Sequence, residues 1–258
     1  MVDRLANKVC IVTGGGRGIG AAVLDAFGRE GACLVVAELE AQACIETERR
    51  LAEKGHDVLA VPTDVRSWAS VQNMVQQALD RFGRIDVLVN NAGINVFKEP
   101  MACDSVDWQA CLSVDLEGVW HGCKAVLPTM MAQRSGSIIN LASTHSFSVI
   151  PGCFPYPVAK HAVVGLTRAL GVEYAKHGVR VNAIAPGYIE TQLCIDYWHG
   201  FDDPIAAKQA TYALHPPQRI GQPSEVAMTA VFLASDEAPF INATMIVMDG
   251  GRSVMYHE

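Results

Sequence analysis

The sequence predicts an α/β fold: a doubly wound, parallel, seven-stranded sheet with helices on both faces. Three observations carry this expectation. Short, wholly apolar runs recur along the chain, as strands covered on both faces require. Helical patterns alternate with them, which implies right-handed crossovers between parallel strands. A glycine-rich turn, Thr13-Gly14-Gly15-Gly16-Arg17-Gly18-Ile19-Gly20, joins the first run to the first helix.

The elements follow in order. Val9 to Val12 reads as a buried strand and Ile19 to Arg29 as the helix after the glycine turn. Cys33 to Ala37 is the second strand, and Ala41 to Lys54 is an amphipathic helix ended by Gly55. Val58 to Val61 is the third strand, followed by a helix from Ser67 to Phe82 with Ser67 as its N-cap. Val87 to Val89 is the fourth strand, and one long helix then spans Val106 to Met131. Ser137 to Leu141, Val179 to Ala183 and Met245 to Met248 complete the seven strands, with helices at Tyr156 to His177 and Ser224 to Ser235 between them. Residues 187–222 lack a clear period, are rich in aromatics and prolines, and follow the carboxyl end of a strand. They read as an irregular lid over a ligand site. No linker, repeat or low-complexity tract interrupts the 258 residues, so one domain is expected.

Half of the residues are apolar and 18% are charged, enough for a large core and against disorder. A net charge of −7, with no basic run, argues against nucleic-acid partners. The eight cysteines form no C-x-x-C pair and read as reduced, buried thiols. The eight histidines show no metal-ligand spacing, so no metal site is assigned. No leader-like start and no apolar run near the roughly 20 residues of a membrane span are present, so a soluble, cytoplasmic protein is expected.

The glycine turn lies between strand and helix, where glycines let the backbone approach a pyrophosphate and the helix N-terminus offers free N–H groups. Gly14, Arg17, Gly18, Ile19 and Gly20 are therefore candidate cofactor contacts. Glu38 ends the second strand, where a carboxylate can accept hydrogen bonds from both adenosine ribose hydroxyls and would repel a 2′-phosphate. Arg17 argues the other way, since it could pair with that phosphate. Glu38 sits on the hydroxyls themselves and is given more weight, so NAD is the expected cofactor. Asp64-Val65 and Asn90-Asn91-Ala92-Gly93 follow the third and fourth strands. Their short polar side chains can reach adenine or ribose, or can tie turns together, and Asn90 fits the structural role better.

Oxidising an alcohol by hydride transfer needs a base for the hydroxyl proton. Tyrosine, with a pKa near 10, is a poor base at neutral pH. Tyr156 and Lys160 stand one helical turn apart, on the same face. The lysine charge, joined by that of an oxidised nicotinamide, would favour the phenolate. Ser143 can hydrogen-bond the substrate oxygen.

Together these motifs resemble the short-chain dehydrogenase/reductase family: T-G-x-x-x-G-I-G at Thr13 to Gly20, Asp64, N-N-A-G at Asn90 to Gly93, Ser143, Tyr156 with Lys160, and Pro186-Gly187 followed by Thr191. The likeness runs from Lys8 to Gly251. It implies a Rossmann-type sheet, a nicotinamide cofactor and a homodimer or homotetramer packed through the long helices. By the same resemblance Tyr156 is the general acid/base, Lys160 holds the nicotinamide ribose and tunes Tyr156, and Ser143 orients the substrate. Pro186, Gly187, the backbone at Ile189 and the Thr191 side chain would hold the nicotinamide. Where the family has an asparagine supporting a water relay to the lysine, this chain reads Ser113-Val114-Asp115-Leu116. Asp115 keeps the size and the carbonyl, and adds a negative charge that would keep Lys160 protonated.

His145, Phe147, Phe154 and the segment Gln192 to His199, with Trp198, are expected to roof the substrate. Aromatic rings mixed with polar tips suit a polyhydroxylated ligand, or they simply pack the lid. Asp196 to Lys208 also resembles the lid of sugar dehydrogenases in the family. The expected substrate is a small alcohol or ketone, with a sugar, polyol or sugar acid preferred. A 3-oxoacyl or small-ketone reductase is the alternative within the class, and a non-catalytic NAD-binding redox sensor is the alternative outside it.

Overall fold

A computed structural model describes residues 3–256. Met1 and Val2, at the expected leader-free start, lie outside the described residues, as do His257 and Glu258 of the C-terminal tail. The chain runs β1 (Val9–Thr13), α1 (Gly18–Arg29), β2 (Cys33–Glu38), α2 (Ala41–Ala52), β3 (Val58–Pro62), α3 (Trp68–Phe82) and β4 (Val87–Asn90). Then come β5 (Phe97–Lys98), α4 (Ser105–Leu112), a π-helical turn (Ser113–Glu117), α5 (Gly118–Gln133), β6 (Gly136–Leu141), β7 (Phe154–Pro155) and α6 (Tyr156–Tyr174). The last part holds β8 (Val179–Pro186), α7 (Gln192–His199), α8 (Pro204–Ala213), α9 (Pro223–Ala234) and β9 (Met245–Met248).

The main sheet has seven parallel strands in the order β3-β2-β1-β4-β6-β8-β9. This is the predicted doubly wound, Rossmann-type arrangement. Alternate residues of β1 serve opposite faces. Val9 and Ile11 pack with Met74, Val126 and Val163 of α3, α5 and α6, while Cys10 and Val12 pack with Leu24, Phe27 and Val231 of α1 and α9. Chain order reverses between β1 and β4, so the loops leaving these two strands frame a crevice at their carboxyl ends, where such sheets bind ligands.

Ser67 caps α3 as the sequence predicts, its side chain accepting from the Ser70 N–H. The long helix expected at 106–131 is present as α4, the π-helical turn and α5 in unbroken succession. Asp115 of the π-helical turn within it is fully buried. Residues 187–222 are not irregular, because they carry α7 and α8. Asp203 caps α8 by accepting from the Ile205 and Ala206 N–H groups, and Pro204 supplies a helical φ at the first turn. Gln192 donates to Asp196 one turn on, supporting α7. The pair β5 and β7 forms a small antiparallel ribbon the sequence did not announce. Of the cysteines, expected to be buried, all are free, but Cys33, Cys103, Cys153 and Cys194 are only half-buried. Among the described residues no helix is long and apolar enough to cross a membrane.

Candidate active site

The crevice is built on the glycine turn. Thr13 Oγ1 accepts from the N–H groups of Asn91 and Ala92, and Asn91 Nδ2 donates to the carbonyls of Thr13 and Gly14. Asn91 therefore pins the β1 turn to the β4 turn. A Cβ on Gly20 would lie 2.2 Å from the Gly14 carbonyl oxygen and 2.6 Å from Asn91 Nδ2, so glycine is required there. Asn90, buried, donates to Asn140 on the next strand, the structural role the sequence favoured.

This turn fits an anion. The N-terminus of α1 receives no side-chain cap and has no acidic residue in its first turn, so its N–H groups are free and its dipole uncompensated. Glu38 curls over the turn, accepting from the N–H groups of Gly16 (3.0 Å) and Leu39 (2.8 Å). It keeps acceptor capacity for ribose hydroxyls. Arg17 is exposed beside it and makes no ion pair among the described residues. Thr191 starts the lid against Gly18, with its Cγ2 3.5 Å from where a Gly18 Cβ would be, and makes no capping hydrogen bond. Ile189 is bridged to Gly221 across the lid base. Pro186 ends β8 in register with Met248, and Gly187 donates to the Met248 carbonyl.

Asp64 and Val65 also serve their own turn. The Asp64 carboxylate takes a forked pair from Arg66, and the Val65 carbonyl lies 2.8 Å from His121 Nδ1. These contacts tie the turn toward α3 and α5.

The expected catalytic residues Ser143, Tyr156 and Lys160 are brought together by β6 and α6. Ser143 leaves β6 and caps a short turn, accepting from the His145 N–H. Ser146 Oγ accepts from the Ser143 N–H and donates to the Lys160 carbonyl, which fastens this turn to α6. Tyr156 opens α6 half-buried, facing the crevice, with the rings of Phe97 and His145 edge-on at 5.5 and 5.8 Å. Phe97 lay outside the sequence expectation because the β5–β7 ribbon brings it here from a loop.

Lys160 is buried. Its Nζ donates to the Leu141 carbonyl at 3.1 Å, stands 5.4 Å from the Tyr156 ring centroid, and lies 3.2 Å from Asp115 Oδ1. The last contact is an ion pair without hydrogen-bond alignment, since Oδ1 has no true hydrogen-bond partner. Asp115 Oδ2 accepts from the Ile94 N–H at 3.4 Å, and a Cβ on Gly93 would strike Oδ1 at 2.7 Å. The bare backbone of Gly93 thus roofs the ion pair.

The electrostatics follow from burial and these partners. Burial works to lower the Lys160 pKa, but Asp115 and Tyr156 outweigh it and hold the ammonium above its ordinary value. At Asp115 burial outweighs the attraction of Lys160, so its carboxyl sits above the usual range. Burial also pushes the Tyr156 phenol up. Lys160 and Ser143 pull it down, while Asp115 adds to the rise. Lys160 alone therefore does not bring the phenol into the neutral range.

The lid corrects two expectations. Trp198, expected to face the substrate, is 3% exposed, and its Nε1 donates to Thr211 Oγ1 at 3.0 Å. It holds α7 to α8 and presents no donor to a ligand. Phe154, expected in the roof, packs instead against Trp108 of α4. His145 remains against Tyr156, and Phe147 and Tyr197 of α7 are exposed.

Over residues 14–253 the chain matches the family model described as Enoyl-(Acyl carrier protein) reductase. It is 37% identical over 256 residues to Oxidoreductase UcpA of Salmonella typhimurium, spanning 98% of this chain and 97% of that protein. It superposes on the crystal structure of levodione reductase with a TM-score of 0.93 at 35% identity, covering 97% and 99% of the two chains. Gluconate 5-dehydrogenase from Burkholderia cenocepacia J2315, solved with NADP and tartrate, superposes with a TM-score of 0.91 at 33% identity over 98% and 99%.

Proposed function

The chain belongs to the short-chain dehydrogenase/reductase family and is a nicotinamide-dependent oxidoreductase acting on CH–OH groups; from that premise we propose that it uses NAD to oxidise a secondary or anomeric hydroxyl of a sugar, polyol or sugar acid. The observation that carries this reading is Tyr156, half-buried at the crevice above a buried Lys160 and across from the uncapped start of α1.

In this reading Gly14, Gly18, Ile19 and Gly20 hold the pyrophosphate through backbone N–H groups, and Glu38 takes the adenosine ribose. Gly93, Ile189 and Thr191 border the nicotinamide, Pro186 and Gly187 set the backbone on which that wall rests, and Lys160 reaches its ribose. When bound, the nicotinamide ring supplies a hydride acceptor and a positive charge. Ser143 donates a hydrogen bond to the substrate oxygen and fixes it beside the Tyr156 hydroxyl. Tyr156, as phenolate, takes the hydroxyl proton while the carbon releases its hydride, and in the reverse direction it returns that proton to the carbonyl oxygen. Lys160 supplies the positive charge that offsets the burial of Tyr156. Asp115 keeps that charge in place.

Glu38 supports NAD, because a 2′-phosphate would meet its carboxylate. The exposed Arg17 supports a second reading, reduction of a 3-oxoacyl or other small ketone with NADPH, and the related gluconate 5-dehydrogenase was solved with NADP. Exposed Trp120 on α5 and Val172 on α6 support assembly into a homodimer or homotetramer through these helices. Following NADH formation against a panel of sugars, polyols, sugar acids and hydroxyacyl compounds tests the proposal. Turnover of a sugar-type alcohol with NAD is expected. Activity confined to NADPH and acyl ketones overturns it.

A further inference from the structure

The C-terminal segment returns to the mouth of the crevice. After β9, Asp249 accepts from the N–H groups of Gly251 and Ser253, and Gly250 and Gly251 both take positive φ. These bonds fold residues 249–254 into a fixed turn. Asp249 packs on Gly187: a Cβ there would lie 2.9 Å from Asp249 Cβ and 3.7 Å from Thr144 Cγ2, the residue after Ser143. The turn is therefore seated against the wall that holds the catalytic serine.

From this turn Arg252 lays its guanidinium over the Tyr188 ring, 4.9 Å from the centroid. It is half-buried, and among the described residues no carboxylate lies within ion-pair distance of it. His145, the residue after Thr144, stands edge-on to Tyr156, its Nδ1 buried with no hydrogen-bond partner among the described residues. Burial depresses the His145 pKa, and the charge of Arg252 depresses it further. The imidazole is thus a neutral donor or acceptor within reach of the Arg252 charge. A half-buried guanidinium with no ion-pair partner among the described residues, and a buried ring nitrogen with no hydrogen-bond partner, are both completed by an anionic ligand.

We propose that Arg252 and His145 form an anchor for an anionic group on the substrate, which makes the substrate a hydroxy or polyhydroxy carboxylate and not a neutral polyol. This deepens, and rests on, the oxidoreductase reading above. The guanidinium fork matches a carboxylate or a phosphate ester, and one cation beside a neutral imidazole balances the single charge of a carboxylate better than the double charge of a phosphate. The hydroxyl to be oxidised then lies toward Tyr156, and the carboxylate toward Tyr188 and the C-terminal turn. Arg252 touches no reacting atom. It sets specificity.

The test compares wild type with Arg252→Met and Arg252→Lys on three probes: gluconate, sorbitol and 6-phosphogluconate. Wild type is expected to favour gluconate over sorbitol in kcat/KM by at least about tenfold, one close charge pair being worth that much or more. In Arg252→Met the ratio falls at least about tenfold, chiefly through KM, and Arg252→Lys restores part of it. An unchanged ratio, or a wild-type preference for sorbitol or the phosphate ester, overturns the anchor. In parallel, binding of malonate to the protein saturated with NADH is measured by calorimetry. If no probe is turned over, the oxidoreductase reading of the substrate fails by itself. The anchor then stands if malonate binding is weakened in Arg252→Met with NADH affinity intact, and falls if malonate binds both forms alike or neither.

Discussion

Replacing Asp115 with Asn isolates the charge that this chain places beside the buried Lys160. At 3.2 Å, with an effective dielectric near 20, the Asp115–Lys160 attraction is about 5 kcal/mol. Against it stands a desolvation cost of several kcal/mol per buried ion. The two sides of the pair resolve that contest differently, since burial dominates at the carboxyl and attraction at the ammonium. An ionised Asp115 with a raised pKa costs the fold stability once the pH passes its ordinary 3.8, and Asn removes that cost. Lys160, also raised, contributes stability that is complete below its ordinary 10.5 and lost as pH climbs through its folded value. Asn forfeits that contribution. The two effects oppose each other near neutrality, so Asp115→Asn should change stability by only about 1 kcal/mol, a shift in Tm of about 2–4 °C.

The larger effect should be on the pH profile. Asp115 helps to hold the Tyr156 phenol up. Without its charge the phenolate forms more easily, so the rise of kcat/KM for alcohol oxidation should move to lower pH, by about one unit for each 1.4 kcal/mol of lost repulsion. Steady-state kinetics from mildly acidic to alkaline pH read this directly. A rise that stays in place or moves upward refutes the electrostatic role. Collapse of activity with NADH binding intact refutes it too, and gives the carboxylate a function of its own.

Three further outcomes are expected. Glu38→Ala should lower kcat/KM with NAD by about tenfold or more and narrow the NAD over NADP ratio, measured with both cofactors on one substrate. Gly20→Ala should weaken NADH binding at least about tenfold in a fluorescence titration, because its methyl would meet the Gly14 carbonyl oxygen at 2.2 Å and deform the turn. Asn140→Leu should lower stability by about 2–3 kcal/mol, since buried Asn140 accepts from Asn90 and donates to Thr167 and its loss orphans polar groups inside the sheet. Thermal unfolding checks this.

The strands were legible in the sequence because a sheet covered on both faces writes itself as unbroken apolar runs, such as Val87-Leu88-Val89 between polar ends. The glycine turn, Ser143, Tyr156 and Lys160 were legible because each lies at a strand end or on one helix face, where local spacing fixes position. The π-helical turn inside the long helix was not. Cys111, Asp115, Val119 and Cys123 keep a four-residue period and are all buried, so the π-helical turn leaves the pattern undisturbed, and its one signal is a carboxylate on an apolar face. The lid helices are short, and only the Asp203-Pro204 cap marks one of them. Trp198 was misassigned because an indole N–H can serve a ligand or a neighbouring threonine equally well, and the sequence does not bring Thr211 to its side. Arg252 was invisible for the same reason: its place over Tyr188 depends on a turn packing onto Gly187, a contact between distant parts of the chain.

The most direct test of the catalytic assignment is Tyr156→Phe, with NADH binding measured alongside turnover. Removing one hydroxyl from a half-buried ring leaves the contacts with Phe97 and His145 in place, so the protein should fold and bind NADH as before. The expected result is a loss of about two orders of magnitude or more in kcat with cofactor affinity unchanged. Turnover near the wild-type rate in that variant would contradict the assignment of Tyr156 as the group that carries the proton.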